Sequence, residues 1–162
     1  MSNVKYQPAM NKQFKDADEF FGRTVDEYRE WLINNTREQL EFVLMDLIRM
    51  SQNGPIICDC HLNLLEADLF TSSDRIAFMI KEPSDLVEDY CNRSDHQDFN
   101  GFINSATDVE TAKATVNATL KSLNDKPYLE IKKSGYFWLE RDLNRSVDDT
   151  VNLVAEHFGL KI

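Results

Sequence analysis

Asp59 is the residue around which chemistry can be built in this chain. It closes an uncharged run, Pro55-Ile56-Ile57-Cys58, that opens directly after the helix-stop signal Asn53-Gly54 and continues into Cys60-His61-Leu62. A short uncharged run bounded by turn residues has the pattern of a strand buried on both faces. A carboxylate at the carboxyl end of such a strand stands where open α/β sheets bind their ligands. If buried there, it needs a cation, a donor or a metal, because an unpaired charge is costly to desolvate. The plainer reading is an aspartate that caps the loop after the strand. Cys58, Cys60 and His61, with Cys91 and His96 further on, offer thiolates and imidazoles to zinc. The spacing argues against it: there is no C-x2-C pair, and Cys58 and His61 would leave an extended strand on different sides. Buried cysteines in strands are usually small core residues. The sequence therefore predicts no metal centre.

The elements that must position Asp59 follow from capping signals and apolar periodicity. Residues 1–16 are polar and without period, which predicts a flexible lead-in, and Phe20-Phe21 forms an apolar pair. Thr24 with Glu27 is a capping box that opens a helix through Tyr28, Trp31 and Leu32. Thr36 with Gln39 repeats the device and predicts a second helix. Its face of Leu40, Val43, Leu44, Leu47 and Ile48, widened by Phe42 and Met45, predicts deep burial. Residues 62–73 read as a loop with one helical turn near Leu64–Asp68. Arg75 to Ile80 is a second strand-like run, followed by Glu82-Pro83 and a helix capped by Ser84.

Residues 91–107 are polar and read as a mobile segment. Thr107 with Glu110 is a third capping box, opening a helix to about Leu123 whose face of Ala112, Val116, Thr119, Leu120 and Leu123 predicts half burial. Asp125-Lys126-Pro127 leaves two readings: a short helix started by Asp125 and ended by Gly135, or a hairpin turning at Ser134-Gly135. Tyr136 to Leu139 is a third strand-like run. Ser146 with Asp149 caps a last helix carrying Val147, Val151, Val154 and Phe158, which stops at Gly159. His157 reads as a partner of that helix's carboxyl-terminal dipole, and Trp31 and Trp138 as core or cleft wall. Strand-like runs separated by long helical runs predict parallel strands with helical crossovers, an α/β fold.

The bulk numbers narrow the functional classes. With 162 residues the chain is long enough for one domain with a real core. A net charge of −10 argues against a nucleic-acid-coating surface, which needs clustered Lys and Arg. No apolar run approaches membrane-spanning length. Three cysteines, two of them one residue apart, do not make a disulfide framework, which predicts a reducing, cytoplasmic setting.

The order of these pieces resembles the small P-loop kinases of the nucleotide and shikimate kinase type over roughly residues 20–160. Ile56-Ile57-Cys58-Asp59 is similar to the family's strand ending in a catalytic or magnesium-linked acid. Arg75 to Ile80 with Glu82-Pro83-Ser84 resembles the strand before the lid, and Tyr90-Cys91-Asn92-Arg93 the start of the lid with its arginine. Tyr136 to Asp142 and Ser146 to Leu160 resemble the last strand, the base-binding loop and the final helix. The resemblance implies a short parallel sheet of about three strands flanked by helices, in a single kinase-like domain at 17–162 with a lid-like segment at about 91–124. It implies ATP and Mg2+ as cofactors and phosphoryl transfer to a small hydroxyl- or phosphate-bearing metabolite. Asp59 and Arg93 would be catalytic, Arg141 and Arg145 would seat the nucleotide, and Arg37, His61 and His96 would face the substrate. For each arginine the bland counterpart is a surface ion pair.

The sequence departs from that family at one point: it contains no Gly-x4-Gly-Lys, whose backbone amides and lysine hold phosphates. The first strand and phosphate loop are missing. Three explanations stand: the sequence begins after them, a partner supplies them, or a diverged relative has lost ATP chemistry. The alternative function is a non-catalytic ligand-binding or regulatory protein derived from such a kinase. Without the middle strand the remaining strands have open edges, which predicts marginal stability or self-association.

Overall fold

The computed structural model describes residues 4–85, 90, 96–142 and 144–161. Helix accounts for 63% of it, and the strands are two short parallel segments. That overturns the predicted α/β architecture of about three strands flanked by helices. The chain divides into two units, one from Met1–His61 with Ser94–Leu120 and one from Leu62–Arg93 with Lys121–Ile162.

The first unit is helical. Helix α1 (Ala17–Phe21) starts at Asp16, whose side chain accepts from the Glu19 amide. Helix α2 (Val25–Met50) starts at the predicted capping box, with Glu27 N–H on Thr24 Oγ1 at 3.2 Å and Thr24 N–H on Glu27 Oε2 at 2.9 Å. It is one helix where the sequence predicts two. A cap at Thr36 would require the hydrogen-bond ladder to break, and Ile33-Asn34-Asn35 contains neither Gly nor Pro to break it. Arg37 consequently lies mid-helix and not in a first turn.

Helix α4 (Gln97–Asn104) and the first half of α5 (Val109–Lys133) complete this unit, while α3 (Leu64–Phe70) belongs to the second. The core joins Ala17, Phe21, Tyr28, Ile103, Ala112 and Val116, with Phe20, Trp31, Phe99 and Phe102 packed around them. The predicted deep burial of the later part of α2 is not observed. Beyond Leu40 no α2 residue is buried, and Met45 and Ile48 are 67% and 60% exposed. The first turns of α2 meet the aromatic core, whereas the last turns pass it.

The start of α5 differs from the predicted capping box by one residue. Asp108 accepts from the Thr111 amide at 3.0 Å, while Thr107 donates its own amide and hydroxyl to Asp18 at 2.7 and 2.6 Å. Those two bonds hold the Asp18 carboxyl below its usual range. The helix then runs unbroken through Pro127 to Lys133, so residues 125–135 form neither a separate short helix nor a hairpin.

In the second unit, Asn63 and Glu66 form a capping box that starts α3 (Leu64–Phe70). Strands β1 (Ala77–Ile80) and β2 (Phe137–Glu140) pair in parallel, with Ala77 opposite Phe137 and Ile80 opposite Glu140. Helix α6 (Val147–His157) follows, capped by Ser146 as predicted. Phe78 and Ile80 point into a core with Ala67, Ile76 and Ile131, whereas Met79 on the opposite face is 54% exposed. That opposite face is covered in part, at Phe137, by His157 of α6, and is open at Met79. His157 donates Nε2–H to the Ile76 carbonyl at 2.9 Å and stacks on Phe137, ring centroids 4.2 Å apart.

The strand predicted at 55–60 is absent: residues 55–63 are neither helix nor strand, and Ile57 is 79% exposed. A strand exists only by pairing, and among the described residues β1 and β2 pair only with each other. Most of the helix predicted after Ser84, and the start of the lid-like segment, lie outside the described residues.

Candidate functional site

The most chemically equipped region of the second unit is the carboxyl end of the β1–β2 pair. The chain leaves β2 through Arg141-Asp142 and turns into α6. Arg141 N–H still bonds the Ile80 carbonyl at 2.7 Å, extending the strand register by one bond. Asp142 Oδ1 then accepts the Asn144 amide at 2.8 Å, and the Arg145 amide bonds the Asp142 carbonyl at 3.1 Å, so the turn is held by its own short polar side chain. Arg145 folds back to donate Nη1–H to the Glu140 carbonyl at 3.1 Å. Arg141 is exposed, and its guanidinium meets no hydrogen-bond or ion-pair partner among the described residues. It is thus available to an anion, and Arg145 is partly committed to the backbone.

Glu140, at the end of β2, is the centre of a three-member group. Tyr128 O–H donates to Oε1 at 2.7 Å, Lys132 Nζ donates to Oε2 at 3.1 Å, and Lys132 also reaches the Tyr128 hydroxyl at 3.0 Å. The ammonium lies over the rings of Tyr128 and Trp138, 4.7 and 5.1 Å from their centroids. The Tyr128 and Lys132 bonds hold the Glu140 carboxyl down, with nearby Glu82 opposing them. Its bonds to the Tyr128 hydroxyl and then to Glu140 push the Lys132 ammonium up. At the end of β1, Glu82 accepts from the Ser84 amide at 2.8 Å and from the Ser84 hydroxyl, which lowers its carboxyl too.

The sequence reading missed the Glu140 group. Its one local trace is the i, i+4 spacing of Tyr128 and Lys132 on a helix; the acid they meet arrives from the adjacent strand.

The sign of the resulting pH dependence follows from the direction of the shift. A carboxyl lowered on folding contributes stability that is complete above its ordinary value of 4.5 and is lost as pH falls through the lowered one. In a Trp31→Phe chain, Trp138 fluorescence reports the second unit alone. Its unfolding free energy is expected to fall as pH drops below that value, and Glu140→Gln to flatten the fall. An unchanged acid profile in Glu140→Gln would assign the acid sensitivity to other carboxyls.

The remaining predicted site residues are dispersed. Asp59 and His61 are exposed in the irregular stretch of the first unit, so Asp59 is not presented at a strand end. Its exposure also removes the need for a buried partner, the reason it attracted a catalytic reading. Arg37 is exposed in the middle of α2. His96 directly precedes α4 and makes no side-chain cap there. Arg93, the predicted catalytic arginine, lies outside the described residues. Only Arg141 and Arg145 are brought together. No set of three or more His, Cys, Asp or Glu among the described residues is arranged to hold a metal ion. Among the described residues no helix is long and apolar enough to cross a membrane.

Compared with protein-family models, with curated proteins and with solved structures, the chain has no match.

Proposed function

We propose that the chain serves ATP-dependent phosphoryl transfer to a small hydroxyl- or phosphate-bearing metabolite, with Arg141 and Arg145 contacting the nucleotide. The observation that supports this is the parallel β1–β2 pair, at whose carboxyl ends the Arg141 amide bonds the Ile80 carbonyl while its guanidinium meets no partner among the described residues. Parallel neighbours require a crossover connection, usually helical, and here the connection includes α4 and α5. Phosphoryl transfer asks mainly for positioning and neutralisation of charge, and a guanidinium serves both.

The sequence has no phosphate-cradling Gly-x4-Gly-Lys, so the affinity carried by these residues is weak. Titration of ATP into the isotope-labelled chain is expected to shift the amides of residues 141–146 with a dissociation constant of about 1 mM or weaker. Arg141→Ala should abolish the shift, and Arg145→Ala should reduce it. Amides of that loop unmoved by ATP would overturn the nucleotide contact, and micromolar affinity would show a cradle elsewhere in the chain.

A second reading, a non-catalytic ligand-binding or regulatory protein, is favoured by the exposure of Asp59 away from any strand. It predicts the same amide shifts without release or transfer of the terminal phosphate of ATP.

A further inference from the structure

In the first unit, four aromatic rings close around one cation: the centroids of Phe14, Phe20, Tyr28 and Trp31 lie 4.5, 4.5, 4.4 and 4.8 Å from the guanidinium carbon of Arg23. The rings brace one another edge to face, with Phe14 4.8 Å from Phe20 and 5.4 Å from Trp31. The segment leading to Phe14 is fastened to α2. Glu38 accepts the Ala9 and Met10 amides at 3.1 and 2.7 Å, and Trp31 donates Nε1–H to the Ala9 carbonyl at 3.0 Å. Trp31 has thus used its only donor outside the cage and offers the cation a π-face.

The resident cation suits this cage in charge but not in hydrogen bonding. A guanidinium is all donor and no acceptor. Nε–H finds the Phe20 carbonyl at 2.8 Å, whereas Nη1 and Nη2 are shielded from solvent with no acceptor among the described residues. Buried donors left unmade are costly. A quaternary ammonium has the same charge and no N–H, and cages of aromatic faces recognise it. Arg23 stands between the end of α1 and the Thr24 cap of α2, so turning its side chain outward gives up the Phe20 bond and disturbs neither helix. Arg23 and Trp31 also line a cleft of about 290 Å³ with Lys12, Glu27, Glu30 and Asn34. That approach carries two carboxylates against one ammonium, so it favours a cation over an anion.

We propose that the cage is a binding site for a quaternary ammonium group of the choline class, which Arg23 occupies until the ligand displaces it. The trimethylammonium head takes the place of the guanidinium among the four rings. The donors of Arg23 pass to water and to Glu27 and Glu30. Apparent affinity is reduced to the extent that Arg23 fills the cage. The site shares no residue with the loop at 141–146 and stands or falls independently of it.

The test titrates choline, tetramethylammonium and inorganic phosphate into the full chain with Trp138→Phe, at constant ionic strength, and follows Trp31 fluorescence. Choline and tetramethylammonium are expected to saturate with dissociation constants of about 1 mM. The neutral tert-butyl analogue of choline, alike in shape, should bind about tenfold more weakly or worse. Arg23→Ala should bind choline about tenfold more tightly, because the resident competitor is gone. Phe14→Leu, which keeps an apolar wall without a π-face, should bind about tenfold more weakly. Urea unfolding checks that each variant is folded. If Arg23→Ala does not fold, choline should still shift the Trp31 indole N–H and Arg23 Nε–H resonances of the parent chain. Equal binding of choline and its neutral analogue would overturn the proposal, as would tighter binding of phosphate than of choline. So would a folded Arg23→Ala chain that binds no more tightly than the parent, or parent resonances that choline leaves unmoved. With phosphatidylcholine vesicles, co-sedimentation that free choline reverses would identify a lipid headgroup as the source of the group, and no co-sedimentation a free compound.

Discussion

Phe21→Ala is expected to lower the unfolding free energy of the first unit by about 3–5 kcal/mol, the usual cost of truncating a buried phenylalanine. Phe21 is 3% exposed, at the end of α1. Its ring centroid lies 4.9 Å from Phe20, 5.3 Å from Phe102 and 6.1 Å from Phe99. Alanine would remove the transfer free energy of the ring and leave a void among aromatic neighbours too large to collapse into it. Domains are stable by about 5–15 kcal/mol in all, so the variant would lose a large fraction of its margin. Phe21→Leu, which keeps most of the volume, should cost about 1.5 kcal/mol or less. Urea unfolding followed by Trp31 fluorescence in a Trp138→Phe chain isolates this unit. A shift below about 1 kcal/mol for the alanine variant would mean that Phe21 is not central to the packing.

Arg23→Ala is expected to cost the same unit about 2–4 kcal/mol, for a different reason. The guanidinium carbon of Arg23 lies 4.5 Å from the ring centroids of Phe14 and Phe20, 4.4 Å from Tyr28 and 4.8 Å from Trp31. Nε–H donates to the Phe20 carbonyl at 2.8 Å, but Nη1 and Nη2 are shielded from solvent without a partner among the described residues. Burial lowers the pKa of the guanidinium for that reason.

Two effects of similar size oppose each other in this cage. Each cation–π contact contributes about 0.5–2 kcal/mol, and each unmade buried donor costs about 1–3 kcal/mol. A methionine would give up both while still filling the space, so Arg23→Met should fall within about 1 kcal/mol of the parent. Lysine keeps the charge but is more strongly hydrated and cannot lie flat against four rings, so Arg23→Lys should be the worse of the two by about 1–2 kcal/mol. The reverse order, lysine tolerated and methionine not, would show that the charge and not the planar stacking holds the cage.

What the sequence determined by itself is what a few neighbouring residues can settle. Thr24 with Glu27 starts α2, Ser146 with Asp149 starts α6, and each device closes within one turn of chain. The apolar runs at 77–80 and 137–140 are strands because their β-branched and aromatic residues match a half-covered sheet. Even the Arg23 cage had a local trace, five aromatic residues from Phe14 to Trp31, although spacing alone does not tell a cage from ordinary packing.

Tertiary structure decided the rest. Whether Pro55 to Cys60 is a strand depends on a neighbour to pair with, and among the described residues it pairs with none. Whether α2 is buried along its length depends on what its last turns meet. Glu140 gains Tyr128 and Lys132 only when β2 packs against the helix before it, and Asp18 gains Thr107, 89 residues away, only when distant segments pack. Hydrogen-bonded caps are short-range and legible in the residues that make them, whereas strands, buried faces and ion-pair groups are properties of partners far away in the chain.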